Sequence, residues 1–268
     1  MPAIDVNGAR LHYVEEGSGA ETILFSHGLL FSCAMFRAQI DTFKDRYRSI
    51  AYDHRGQGGS AVTADGYDID TLSVDAAALI EALDAGPCHF VGLSMGGFVG
   101  MRLALRRPEL LRSLTLIETS AEAEPRENVG RYNLLNFIAR WFGLSLVMGK
   151  VMPIMFSQTF LADPGRAAER KHWRKQIIDN DRIGITRAVR GVVDRQGVDD
   201  QIDRIAMPTL IIVGEEDVAT VPAKSERMHA AIPGSALIRI PRAGHSSTIE
   251  EPAAVNAAMA EFLEQHAE

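Results

Sequence analysis

The apolar run Cys88-His89-Phe90-Val91 leads straight into Gly92-Leu93-Ser94-Met95-Gly96-Gly97, and a helical pattern follows from Met95 to Arg106. This junction constrains the fold more than any other stretch. A strand that turns sharply into a helix needs neighbours without side-chain bulk two positions either side of the turn residue, and Gly92 and Gly96 supply them. Ser94 is then held out at the end of a strand as a candidate nucleophile. The competing reading of so short a motif is a glycine-rich β-α turn with an incidental serine. Two nucleotide-binding readings fit poorly: no Lys-Ser or Lys-Thr follows Gly97, and Gly56-Gln57-Gly58-Gly59-Ser60 lacks the third glycine and the helix of a dinucleotide fingerprint.

The rest of the chain supplies the setting. Short β-rich runs at Arg10–Glu15, Thr22–Ser26, Arg48–Asp53, Cys88–Leu93, Leu114–Glu118, Thr209–Val213 and Ala236–Ile240 alternate with helical patterns, among them Thr71–Leu83, Met95–Arg106 and Glu251–Gln265. Such alternation predicts an α/β domain with a mostly parallel sheet and helices on both faces. Ligands of these sheets bind beyond the carboxyl ends of the strands, where Ser94 falls. Between residues 121 and 206 the alternation gives way to a helical block, which predicts a cap (lid) inserted into a core domain of residues 1–120 and 207–268.

Composition excludes several functions. A net charge of −7 argues against nucleic acid as a partner, because phosphate binding relies on a basic surface. Cys33 and Cys88 form no C-x-x-C or Cys/His cluster, so neither a disulfide framework nor a structural metal is expected. The most apolar stretch, Trp141 to Phe156, is broken by Gly149, Lys150 and Pro153 and is too short to span a bilayer. The first residues lack the pattern of a secretion signal. The expectation is a cytoplasmic protein with no membrane partner.

A serine hydroxyl needs a base within hydrogen-bond reach and an acid to orient that base. Of the eight histidines, His245 is best placed, in a loop between the last β-run and the last helix. Asp217 follows Thr209–Val213 through Gly214-Glu215-Glu216. Glu215 and Glu216 compete with it by position, as does Glu118 at the end of the preceding strand. For the oxyanion of a tetrahedral intermediate, Met95 N–H follows the nucleophile, and Leu29 N–H in His27-Gly28-Leu29-Leu30 is the second candidate donor. His27 is expected to orient that loop.

Taken together, His27-Gly28, Asp53-His54-Arg55-Gly56-Gln57-Gly58-Gly59-Ser60, Gly92 to Gly97, Gly214 to Asp217 and Gly244-His245 resemble the α/β-hydrolase superfamily over nearly the whole chain. The likeness is strongest to its small bacterial branch of 3-oxoadipate enol-lactonase-like proteins, carboxylesterases, acyl-homoserine lactonases and perhydrolases. It implies an eight-stranded sheet, the chain order Ser94, Asp217, His245, no cofactor, and a small-molecule ester or lactone as substrate. Dehalogenases and epoxide hydrolases of this fold carry aspartate where Ser94 stands. Perhydrolases usually carry an aromatic residue where Leu29 stands. The superfamily also includes binding and signalling proteins with intact triads, so a non-enzymatic role stays open.

The first half of the cap is apolar, and Trp141, Met148, Met152 and Phe156 are expected to line a pocket for a hydrophobic acyl group. The second half is basic, with Arg166, Arg170, Lys171, Arg174, Lys175, Arg182, Arg187 and Arg190. An arginine turned into the pocket would suit a carboxylate-bearing substrate. The last helix and the apolar surface of the lid are candidate faces of a homodimer.

Overall fold

A computed structural model describes residues 2–266. Among these, eight strands form one sheet in the order β1-β2-β4-β3-β5-β6-β7-β8. They are β1 (Ala3–Val6), β2 (Ala9–Glu16), β3 (Thr22–Ser26), β4 (Arg48–Tyr52), β5 (Cys88–Leu93), β6 (Leu111–Ile117), β7 (Thr209–Gly214) and β8 (Ala236–Ile240). β1 and β2 run antiparallel, β2 pairs antiparallel with β4, and the other neighbours are parallel. The short β1 is a strand beyond the seven expected from β-rich runs.

Core helices are α1 (Arg37–Phe43), α2 (Ile69–Ala82) and α3 (Met95–Arg106). Between β6 and β7 the chain leaves the sheet for α4 (Arg126–Phe142), α5 (Met148–Met155), α6 (Gln158–Ala162), α7 (Ala167–Ile178) and α8 (Arg182–Val193). It then adds α9 (Pro222–Ala231), α10 (Ser247–Glu250) and α11 (Pro252–Gln265). Local chemistry starts several of these helices. Asp68 accepts from Thr71 N–H before α2, Ser157 from Phe160 N–H before α6, and Asp181 from Ile183 and Gly184 N–H before α8, each satisfying donors a helix leaves open.

The central strands are buried on both faces, so their side chains divide by period two between two cores. Ile23, Phe25, Val91, Leu93, Leu210 and Ile212 join one core with residues of α1, α5 and α11. Leu24, Phe90, Leu116 and Ile211 join the other with residues of α2 and α3. β3 lies between β4 and β5, so the chain steps outward to β4 and then returns past β3 to form β5. The crevice at that reversal, beyond Ser26 and Leu93, is where such sheets bind ligands. Among the described residues no helix is long and apolar enough to cross a membrane.

Packing at the reversal is tight. A Cβ on Gly96 would lie 1.9 Å from the Ser26 carbonyl oxygen, and one on Gly92 would lie 2.3 Å from the Gly96 carbonyl oxygen. A Cβ on Gly130, in α4, meets nothing within 4 Å. Gly96→Ala should therefore cost about 3 kcal/mol, the upper end of overpacking, whereas Gly130→Ala should gain about 0.5–1 kcal/mol by rigidifying a helix interior. Urea unfolding of the two variants checks both signs; a harmless Gly96→Ala would mean that the turn can relax.

Candidate active site

Ser94 terminates β5 at φ 51° and ψ −110°, and α3 begins at the next residue. Its N–H donates to the Ile117 carbonyl at 2.8 Å, and its carbonyl accepts from Gly97 N–H at 2.9 Å and from the Thr119 hydroxyl at 2.8 Å. With the backbone pinned on both sides, the hydroxyl projects toward the carboxyl edge of the sheet. There Ser94 Oγ lies 2.8 Å from His245 Nε2, and His245 Nδ1 lies 2.9 Å from Asp217 Oδ2. All three residues are buried.

Asp217 is built to stay ionised. Its Oδ1 accepts from Ala219 N–H at 2.8 Å and Thr220 N–H at 3.1 Å, and its Oδ2 accepts from the Thr220 hydroxyl at 2.7 Å. Burial pushes its pKa up, yet the His245 imidazole and these donors outweigh that and hold it below the usual carboxylate range. Glu118, the rival acid, is fully buried beside it, and Gly214 N–H is shared between its two oxygens at 2.9 and 3.0 Å. Burial, then the charge on Asp217, pushes the Glu118 pKa well up. The imidazole contacts Asp217. Glu216 is drawn away to the Thr159 N–H and hydroxyl.

Of the two candidate oxyanion donors, Met95 follows Ser94 directly and Leu29 lines the same cavity as Ser94. Met95 N–H is the first of α3, a position without an intrahelical acceptor, and Leu29 N–H donates to no protein group among the described residues. The Leu29 loop is held by a residue sequence reasoning passed over. Gln57 Oε1 accepts from Leu30 N–H at 3.0 Å, fixing Leu30 at φ 75°, and Gln57 Nε2 lies 3.8 Å from Met95 Sδ. The ring of His27 spans the Gly28 carbonyl and His54 N–H, as expected of a loop-orienting residue, and burial lowers its pKa. A second overlooked residue, Glu250, accepts from the N–H groups of Gly244 and Ser246 on either side of His245, and from Ser157 N–H. Gln57 stands inside the quoted motif, which could have flagged it; Glu250 had no comparable signal.

Ser94, His245, Leu29 and Thr220 open onto a chamber between the sheet domain and the cap. Its walls include Leu93, Phe98, Leu135, Ala139, Leu144, Val147, Val151, Ile154, Met155, Ile185, Val189 and Val193. The four cap residues expected to line it lie elsewhere. Trp141 is 65% exposed on the outer side of α4. Met148 and Met152 belong to α5, whose chamber-lining residues are Val151, Ile154 and Met155; Met148 is buried in the core and Met152, half-buried, packs against it. Phe156 stacks on Phe160 at 4.7 Å and meets Phe31 edge-on. None of the basic residues singled out in the second half of the cap lines the chamber. Arg195 does, and it is already engaged: it contacts Glu124 at 3.0 Å and the carbonyls of Val192 and Glu122, with its guanidinium 4.1 Å from the Phe98 ring centroid.

One group of potential metal donors stands apart, with His12, Cys33 and Asp53 bringing their ligand atoms within 4.8 Å of one another. Asp53 is occupied by the N–H groups of Cys33 and Gly59 and by His12 Nδ1. Burial pushes the Cys33 thiol far up, keeping it protonated. The group serves as a hydrogen-bonded knot between β2, β4 and the loop after β3.

Comparison with known proteins bears on the same region. Residues 23–258 match the alpha/beta hydrolase family. The chain is 29% identical to 3-oxoadipate enol-lactonase 2 of Acinetobacter baylyi over 238 residues, covering 88% of this chain and 86% of that protein. Its structure superposes on a thermophilic esterase from Thermogutta terrifontis with a TM-score of 0.92 at 27% identity, covering 99% of this chain and all of the other. An enol-lactonase from Burkholderia xenovorans gives a TM-score of 0.91 at 27% identity, with 98% and 100% covered.

The two buried carboxyls can be told apart by the reactivity of Ser94 toward a fluorophosphonate. Asp217→Asn should slow labelling by roughly three to four orders of magnitude, because the amide no longer accepts from Nδ1–H. Glu118→Gln, which keeps a neutral group in place, should stay within about tenfold of the parent. The opposite ranking, read by mass spectrometry over time, would make Glu118 the acid.

Proposed function

The chain belongs to the alpha/beta hydrolase family, and from that premise we propose that it is a serine hydrolase of carboxylic esters or lactones whose acyl part is apolar and uncharged. The observation that carries this reading is the 2.8 Å contact between Ser94 Oγ and His245 Nε2 at the edge of an apolar chamber. The likeness to an esterase and to enol-lactonases supports a carboxylic ester bond as the target.

In this mechanism His245 Nε2 takes the Ser94 proton as Oγ attacks the carbonyl carbon. The carbonyl oxygen becomes an oxyanion held by Leu29 and Met95 N–H. Asp217 accepts from Nδ1–H, which leaves Nε2 as the base and stabilises the imidazolium once it forms. The intermediate collapses, His245 protonates the departing alkoxide, and the acyl group remains on Ser94. A water that loses its proton to His245 then attacks this acyl-enzyme and frees the acid and Ser94.

The apolar, uncharged acyl part follows from what surrounds the serine. Arg195 and His245 are the basic side chains on the chamber wall, and Arg195 already faces Glu124. A substrate carboxylate would lose its hydration without meeting an unpaired cation. Methylenes, by contrast, gain about 0.8 kcal/mol each on burial.

Initial rates on aryl esters and acyl lactones of graded chain length test the proposal. The value of kcat/KM should rise about fourfold per added methylene until the chamber fills, and acyl chains ending in a carboxylate should be slower than their methyl counterparts by tenfold or more. Ser94→Ala should lower turnover by roughly five to six orders of magnitude. Near-parental rates in that variant would sink the mechanism. Labelling of Ser94 without turnover of any ester or lactone would favour a binding role.

A further inference from the structure

Helix α4 is apolar on two sides. Tyr132, Leu135, Asn136 and Ala139 face the chamber. Leu134, Phe137 and Trp141, spaced i, i+3 and i+7, stand outward at 60, 55 and 65% exposure, and the turn after the helix adds Phe142 at 65% and Leu146 at 68%. A contiguous group of this kind, unlike scattered single hydrophobics, marks a surface that something covers. The charges of this stretch are one-sided. From Asn128 to Ala162 the chain has no aspartate or glutamate, and its charged side chains there are Arg131, Arg140 and Lys150, in a protein of net charge −7. Arg140, Arg187 and Arg190 line a groove alongside Phe137 and Trp141. Arg140, Arg190 and Lys150 have no ion-pair partner among the described residues.

We propose that this outer face of α4, with the turn that follows it, docks the protein peripherally on an anionic lipid surface. Trp141, Phe142, Phe137, Leu134 and Leu146 would enter the acyl boundary while the cations contact the headgroups, the division found in helices that lie in an interface. A second copy of this chain fits less well. Two-fold docking would pair this face with itself, so Arg131, Arg140 and Lys150 would meet no acid from the same stretch of the other copy. The proposal departs from the expectation of no membrane partner. It involves no spanning helix, and it does not depend on the hydrolytic reading. Its link to that reading is position: one helix separates the lipid surface from the chamber, so an ester dissolved in the surface would be concentrated beside its site.

The test is co-sedimentation of the full chain with phosphatidylglycerol vesicles and with phosphatidylcholine vesicles, together with quenching of tryptophan fluorescence by brominated acyl chains. Binding to phosphatidylglycerol should exceed that to phosphatidylcholine at least tenfold, with quenching. It should fall tenfold or more in Phe142→Asp/Leu146→Asp and severalfold in Arg140→Gln/Lys150→Gln, with unfolding temperatures near that of the parent. Absence of binding, equal binding to both lipids, or binding unchanged in both variants would overturn the proposal. So would a dimer in sedimentation equilibrium that Phe142→Asp/Leu146→Asp dissociates, since a second copy would then be what covers the face.

Discussion

The positive φ of Ser94 costs a residue with a side chain roughly 1–3 kcal/mol, and three strands converge to impose it. β5 delivers the residue, β6 captures its N–H through the Ile117 carbonyl, and β3 leaves room for the first turn of α3 because Gly96 has no Cβ to meet the Ser26 carbonyl. The strain is local but its support is not. It persists because the sheet order puts β3, β5 and β6 side by side, with both faces of all three buried in the two cores. Stability of the central sheet and exposure of the serine hydroxyl are thus the same requirement.

Two carboxyl groups share the buried corner behind His245, and burial together with like charge disfavours ionising both. The donors decide which acid is ionised. Asp217 receives two backbone N–H groups, a hydroxyl and the imidazole, whereas Glu118 has one backbone N–H divided between its oxygens. The charge the imidazole needs is kept on the side that touches it.

Much of this was legible in the sequence because it is written locally. The glycines around Ser94, the short loops that place Asp217 and His245 after their strands, and the His27-Gly28 turn all depend on neighbours within a few residues. What failed to show depends on contacts between distant segments. Gln57 reaches Leu30 across 27 residues, and Glu250 reaches Ser157 across 93. The cap was harder still. A helix that is apolar on both sides carries no periodic signal for which side faces in, so Trp141 could be placed in the lining when it lies outside. On α5, Met148 and Met152 were chosen for their residue type, and the lining went to Val151, Ile154 and Met155 instead. The seven β-rich runs became strands, while the four residues of β1 were too few to stand out.

The cap is fastened to the reacting loops by more than apolar contact. Asn180 Nδ2 donates to the Leu30 carbonyl at 2.9 Å, the Ser246 hydroxyl to the Met155 carbonyl at 2.7 Å, and Arg166 to the carbonyls of Ile249 and Glu250. The first of these bonds steadies the loop that carries Leu29, and the others steady the segment that carries His245. A cap that swung wide would release both. The cap is therefore a brace as well as a roof: the bonds that seat it on the sheet domain are the ones that hold the Leu29 loop and the His245 segment where they stand.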